Sequence, residues 1–155
     1  GTDAARYFFV MRSLDSQLDF DLDLAKSQSN ENPVYYIQYA HARIASIFRQ
    51  AKEAGLTVDE EPDLMQLTDE TEIALIKKII EYPDEIERAA ADYAPQRIAR
   101  FAYDTAAAFH SFYSKCRIMG VEKPLARARL ALAGKAQQVI RHALNILGIS
   151  APQKM

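Results

Sequence analysis

Asn32-Pro33-Val34-Tyr35-Tyr36-Ile37-Gln38-Tyr39-Ala40-His41-Ala42-Arg43-Ile44 is the stretch on which the fold turns. It opens as a helix does: the Asn32 side chain can accept from the first free backbone N–H groups, and Pro33 stands where a missing N–H costs nothing. At about 100° per residue, Ile37, Ala40, Ile44, Ile47, Phe48 and Ala51 share one side, and Gly55 after Ala54 offers a left-handed stop. Tyr39 and Arg43, four residues apart, fall together on the flank of that stripe. A ring beside a guanidinium, half out of the core, suits stacking on a flat unpaired base. The competing reading is that the tyrosines close the core edge and hydrogen-bond internally.

Working outward, the same periodicity returns. Residues 2–12 read as a short, nearly all-apolar helix with Thr2 as cap. Residues 13–31 are polar, with Asp15, Asp19, Asp21 and Asp23 around Leu18, Phe20, Leu22 and Leu24. An EF-hand loop needs a central Gly and a closing Glu that this segment lacks, so no metal site is expected. After an acidic loop at 56–67, Asp69 and Glu72 have capping-box spacing for a helix to about Ile80. Tyr82-Pro83 interrupts it, and a shorter helix takes Asp84 to Asp92. Pro95 starts a long helix to about Arg117, with Ile98, Phe101, Ala102, Thr105, Phe109, Phe112 and Cys116 as its apolar line. Pro124 starts the last long helix, which stops before Gly148 and leaves Ser150–Met155 as a tail. No period-2 alternation survives, so the expectation is an all-α helical bundle.

The 155 residues fit one domain with a real core, and no 18-residue apolar run exists to span a membrane. The first residues lack the basic start and apolar core of a signal peptide, which a fragment of a longer protein would not show in any case. The one cysteine, Cys116, forms no internal disulfide, suits a reducing compartment and reads as buried filler. Net charge is −2, which alone argues against nucleic acid, but its distribution is uneven. Residues 1–32 carry 3 basic and 6 acidic groups, 33–57 carry 3 and 1, 58–92 carry 3 and 12, and 93–155 carry 10 and 2. That asymmetry marks a polyanion-facing half and a solvating half, unless the acidic loop folds back onto the basic helices.

Several residues could carry chemistry. His110, Tyr113 and Arg117 lie at offsets of three and four, within about 60° of one another on the rim of their helix. They repeat the Tyr39–Arg43 theme, and two such platforms could hold a splayed loop of single-stranded RNA. On the last helix Arg127, Lys135, Gln138 and Arg141 share a face suited to phosphate contacts, which is also how any solvated helix face looks. Arg129 falls inside the apolar arc instead, where an unpaired charge would cost several kcal/mol, so an ion pair or carbonyl cap is expected there. Catalytic logic is missing. His41, His110 and His142 sit on separate helices, and no phosphate-binding glycine loop, HExxH or nucleophile–base set appears.

The residues also carry a resemblance. Asn32–Ile44 is similar to the first helix of the C-terminal, anticodon-binding (DALR-type) bundle of arginyl-tRNA synthetases. Tyr93-Ala94-Pro95 running into Phe109–Arg117, and Ala128–Leu132 running to Leu147–Met155, agree in the family's order over nearly the whole chain. The resemblance implies that residues 1–30 are the end of a catalytic domain and its connector, with 31–155 as the bundle. It implies that the positions of Tyr39, Arg43, Tyr113 and Met155 form or border the pocket reading the central cytosine of the arginine anticodon. Arg117 departs from branches of the family that carry an aromatic there. The HIGH- and KMSKS-type signatures are absent, so this piece is expected to be inactive, without a cofactor of its own. ATP and Mg²⁺ would serve the catalytic domain of a cytoplasmic, monomeric enzyme that binds tRNA and neither DNA nor membrane. Two rivals stay open: the bundle of another class I synthetase, and a helical protein-interaction module whose basic half docks an acidic partner.

Overall fold

The computed structural model describes residues 1–13, 21–57 and 61–155, and among them it shows seven α-helices, one 3-10 turn and no strand. The order is α1 (Thr2–Val10), α2 (Leu22–Lys26), α3 (Pro33–Glu53), the turn Leu64–Gln66, α4 (Glu70–Ile80), α5 (Tyr82–Ala91), α6 (Pro95–Lys115) and α7 (Lys123–Ile146). The expected all-α bundle is the architecture found. Expectations for Asp15, Leu18, Asp19 and Phe20, and for residues 58–60 of the acidic loop, lie outside the described residues.

Helices α6 and α7 form the centre, packed on each other and each on α3 and α4. Helix α5 lies along α6, and α1 rests against α3 and α6. Ile37 and Ile44 from α3, Phe109 and Phe112 from α6, and Ile140 and Leu144 from α7 are fully buried at the shared centre. Gly134 lets α7 approach α3 closely: a Cβ there would lie 2.9 Å from the Phe48 ring. The buried arc of α7 is wide, taking in Ala126, Leu130 and Ala133 as well as Ala136, Ile140 and Leu144.

The helix starts follow their caps. Asn32 Oδ1 accepts from the Val34 N–H at 3.2 Å, and Asn32 Nδ2 donates to the Ser27 carbonyl at 2.9 Å, tying α3 to the segment before it. The Asp69–Glu72 capping box is formed on both sides. Four boundaries differ from the sequence reading. Thr2 lies inside α1, whose N-cap is Gly1 without a side-chain bond. Asp21 caps the short helix α2 within what reads as polar linker. The fifth helix starts at Tyr82 rather than Asp84, because Glu81 keeps helical angles and Pro83 falls in the first turn, where it is tolerated. Helix α6 ends at Lys115. Cys116 turns extended (φ −107°, ψ 111°), and its buried Sγ lies 3.6 Å from Thr71 Oγ1.

Candidate nucleic-acid interface

Because α3 and α6 pack side by side, the flank of one meets the flank of the other, and four of the expected residues come together there. The Tyr39 and His110 rings lie 5.8 Å apart, only 20° from parallel. The Arg43 guanidinium sits 5.1 Å above the Tyr113 ring. The pairing therefore runs across the two helices, not along α3 from Tyr39 to Arg43. Below, Tyr113 is 5.7 Å from Phe109 at 15°, so the stack descends from an exposed cation through a half-buried ring to the core. Tyr36 adds a ring that the sequence reading passed over, 4.7 Å from His110 and 5.0 Å from Tyr103. Its spacing of three from Tyr39 is the signal that could have found it.

The edge is open. Tyr39 is 38% exposed, with Tyr35 also stacked against it at 6.4 Å and 12°, and Arg43 is exposed, so part of the ring and the guanidinium reach solvent. Stacking on a ring or on a guanidinium plane is what a splayed base needs. Burial pushes the His110 pKa below its ordinary 6.5; a hydrogen bond to the Tyr36 backbone opposes this, and Arg43 adds to the fall. The imidazole is neutral at pH 7 and adds no charge repulsion to Arg43. Burial likewise raises the Tyr36 phenol, which stays protonated.

The other expected residues are placed differently. Arg117 is exposed but lies beyond the end of α6, so it does not share a helical face with His110 and Tyr113. The extended Cys116 is the cause. Met155 is 54% exposed at the end of a tail whose hydrogen bonds go to Gln38, His41 and Arg49. Those three lie about 80–160° around α3 from Tyr39, on its other flank. On α7, Lys135 and Arg141 are exposed, whereas Arg127 is half-buried and is not part of an open face. Arg129 takes both roles expected of it: Nε pairs with Glu72 Oε1 at 2.6 Å and Nη1 donates to the Arg117 carbonyl at 2.7 Å. Among the described residues, no group of three or more His, Cys, Asp or Glu could hold a metal, and no helix is long and apolar enough to cross a membrane.

The fold is thus an all-helical bundle with rings and cations gathered on one edge. Residues 37–155 match the family model of the DALR anticodon binding domain, and the chain belongs to that family. The chain is 55% identical over 157 residues to the arginine–tRNA ligase of Carboxydothermus hydrogenoformans, covering 100% of this chain and 28% of that protein. It is also 55% identical, over 158 residues and the same shares, to that of Desulforudis audaxviator. The arginyl-tRNA synthetase of Thermus thermophilus superposes with a TM-score of 0.86 at 29% identity, over 99% of this chain and 26% of that one. The chain spans 28% of the length of the two curated relatives it is compared with here.

Proposed function

We propose that this chain holds the anticodon loop for an arginine–tRNA ligase, with residues 31–155 as the binding bundle and 1–30 as its connection to a catalytic domain. The whole enzyme joins arginine to its tRNA in the cytoplasm, acting as a monomer. ATP and Mg²⁺ serve the catalytic domain of that whole enzyme. The observation that carries the reading is the four-residue edge of Tyr39, Arg43, His110 and Tyr113, gathered from two helices and left open to solvent. Those side chains clasp the central anticodon cytosine, while Met155, across α3, and Arg117, beyond the end of α6, contact the loop outside that edge. Lys135 and Arg141 meet phosphates, with the half-buried Arg127 contributing less.

The test is binding by the full-length enzyme to arginine tRNA and to a transcript with the central anticodon cytosine replaced. Stacking tolerates any base, so discrimination rests on hydrogen bonds to the cytosine edge, worth about 1–3 kcal/mol, and the replaced transcript binds about 5- to 150-fold more weakly. Equal binding to both transcripts removes the proposal. Weak binding that ignores salt favours the protein-partner alternative, because phosphate contacts are salt-sensitive.

A further inference from the structure

The segment that follows α7 is held far more closely than an exposed tail requires. Gly148, at φ +67°, closes α7 with a left-handed turn in which the Ile149 N–H donates to the Leu144 carbonyl at 2.9 Å. Ile149 is buried, and the tail then follows α3. Helix α1 meets it first. The Asp3 carboxylate accepts from the Ser150 hydroxyl and from the Ser150 N–H, and Arg6 Nη1 donates to the Gly148 carbonyl. Helix α3 completes the hold. Gln38 Nε2 lies 3.0 Å from Asp3 Oδ2 and 2.9 Å from the Ser150 carbonyl, His41 Nδ1 donates to the Pro152 carbonyl at 2.9 Å, and Arg49 Nη1 donates to that of Gln153 at 3.3 Å.

Most of these bonds reach the tail's backbone. They fix its path while leaving the Lys154 and Met155 side chains exposed. The entropy lost in ordering the tail residues offsets most of what such hydrogen bonds return, so the clamp adds little net stability. A fixed path with displayed side chains is the property of a recognition element. Helix α3 also carries Tyr39 between Gln38 and His41, so one rigid helix sets both the ring edge and the tail.

We propose that Asp3, Gln38 and His41 are positioning residues that hold the C-terminal tail in place to present Lys154 and Met155 to the anticodon loop. The inference rests on the anticodon reading above. Its test uses the full-length enzyme in four forms: wild type, Asp3→Ala, deletion of residues 154–155, and the two changes combined. Each single change raises KM for arginine tRNA about tenfold with kcat held within about twofold, and the combination is no worse than either alone. Asp3→Asn, whose amide oxygen still accepts from Ser150, restores KM to near wild type. Gln38→Met reproduces the KM rise of Asp3→Ala. An unchanged KM in Asp3→Ala, losses that multiply in the combined form, or kcat falling together with the melting temperature overturns the clamp. Wild-type discrimination between the two anticodon transcripts is the control: its absence sinks the anticodon reading itself, whereas discrimination with a normal Asp3→Ala sinks only the clamp.

Discussion

Arg129 and Arg43 are each a cation beside the core, and the bundle treats them in opposite ways. Arg129 is 13% exposed and fully engaged, paired with a Glu72 side chain that is itself 1% exposed. The second oxygen of Glu72 accepts the Asp69 N–H at 2.8 Å, so one ion pair joins the start of α4, the second turn of α7 and the chain leaving α6. Arg43 is exposed and forms no ion pair among the described residues; its one partner is a tyrosine face. A largely buried cation met by both a carboxylate and a carbonyl marks a structural joint, because an orphaned buried charge is too costly to keep. Planar groups with unspent hydrogen-bonding capacity, held at an open edge, mark a place kept for something else.

The largest expected effect breaks the joint. Arg129→Ala leaves Glu72 buried without its counter-charge and costs about 3–5 kcal/mol, read by urea or thermal unfolding. A normal melting temperature would show that the ion pair holds nothing, and the contrast would vanish. The next effect is smaller and of another kind. Tyr39→Ala removes a partly exposed ring, so the fold stays within about 1 kcal/mol of wild type while binding of arginine tRNA weakens by about 1–3 kcal/mol. Tyr113→Ala follows the same pattern with a larger share of stability lost, since one ring face lies on Phe109. Filter binding paired with a melting curve separates the two quantities. Unfolding on Tyr39→Ala would make that ring core and close the comparison from the other side.

The joint and the edge were not equally legible in the sequence. Arg129 was readable because a cation inside an apolar arc must be neutralised somewhere, although periodicity could not say that Glu72, already spent on a capping box, was the partner. Helices α3, α4, α6 and α7 were readable from Asn32-Pro33, Asp69-Glu72, Pro95 and Pro124, whose cap chemistry is local. Helix α2 was not, since five residues are too few to show a 3.6-residue period. The edge was half legible. Spacing put Tyr39 and Arg43 on one flank, and His110 and Tyr113 on another, but the exchange of partners between helices depends on how α3 and α6 are docked. Arg117 was misplaced for a plainer reason: nothing in Cys116-Arg117 announces that the helix stops before them. The tail was invisible for the same reason as the edge, because Asp3 and Ser150 are brought together only by the finished fold.

The smallest expected effect is one of pH, and it too divides the molecule. Burial, together with Arg141, holds the pKa of His41 below its ordinary 6.5 against the pull of the Pro152 carbonyl, and His110 is lowered similarly beside Arg43. For a base of depressed pKa, the unfolded chain takes up its proton near 6.5 while the folded chain still resists. Stability is therefore constant above that pH and falls as pH drops below it, until the folded pKa is passed. Asp69 at the joint and Asp3 at the tail are depressed carboxyls, Asp69 through the Thr71 hydroxyl and N–H, Asp3 through Ser150 and Gln38, which outweigh its burial. Their contribution is present above the ordinary 3.8 and is lost only below it. Between pH 7.5 and about 5 the decline in melting temperature accordingly belongs to the two histidines, one on α3 and one on α6, and not to the joint. His110→Gln flattens part of that decline and leaves the loss below pH 4 unchanged; a full decline in the variant would show that His110 is not held neutral by the edge it stands in.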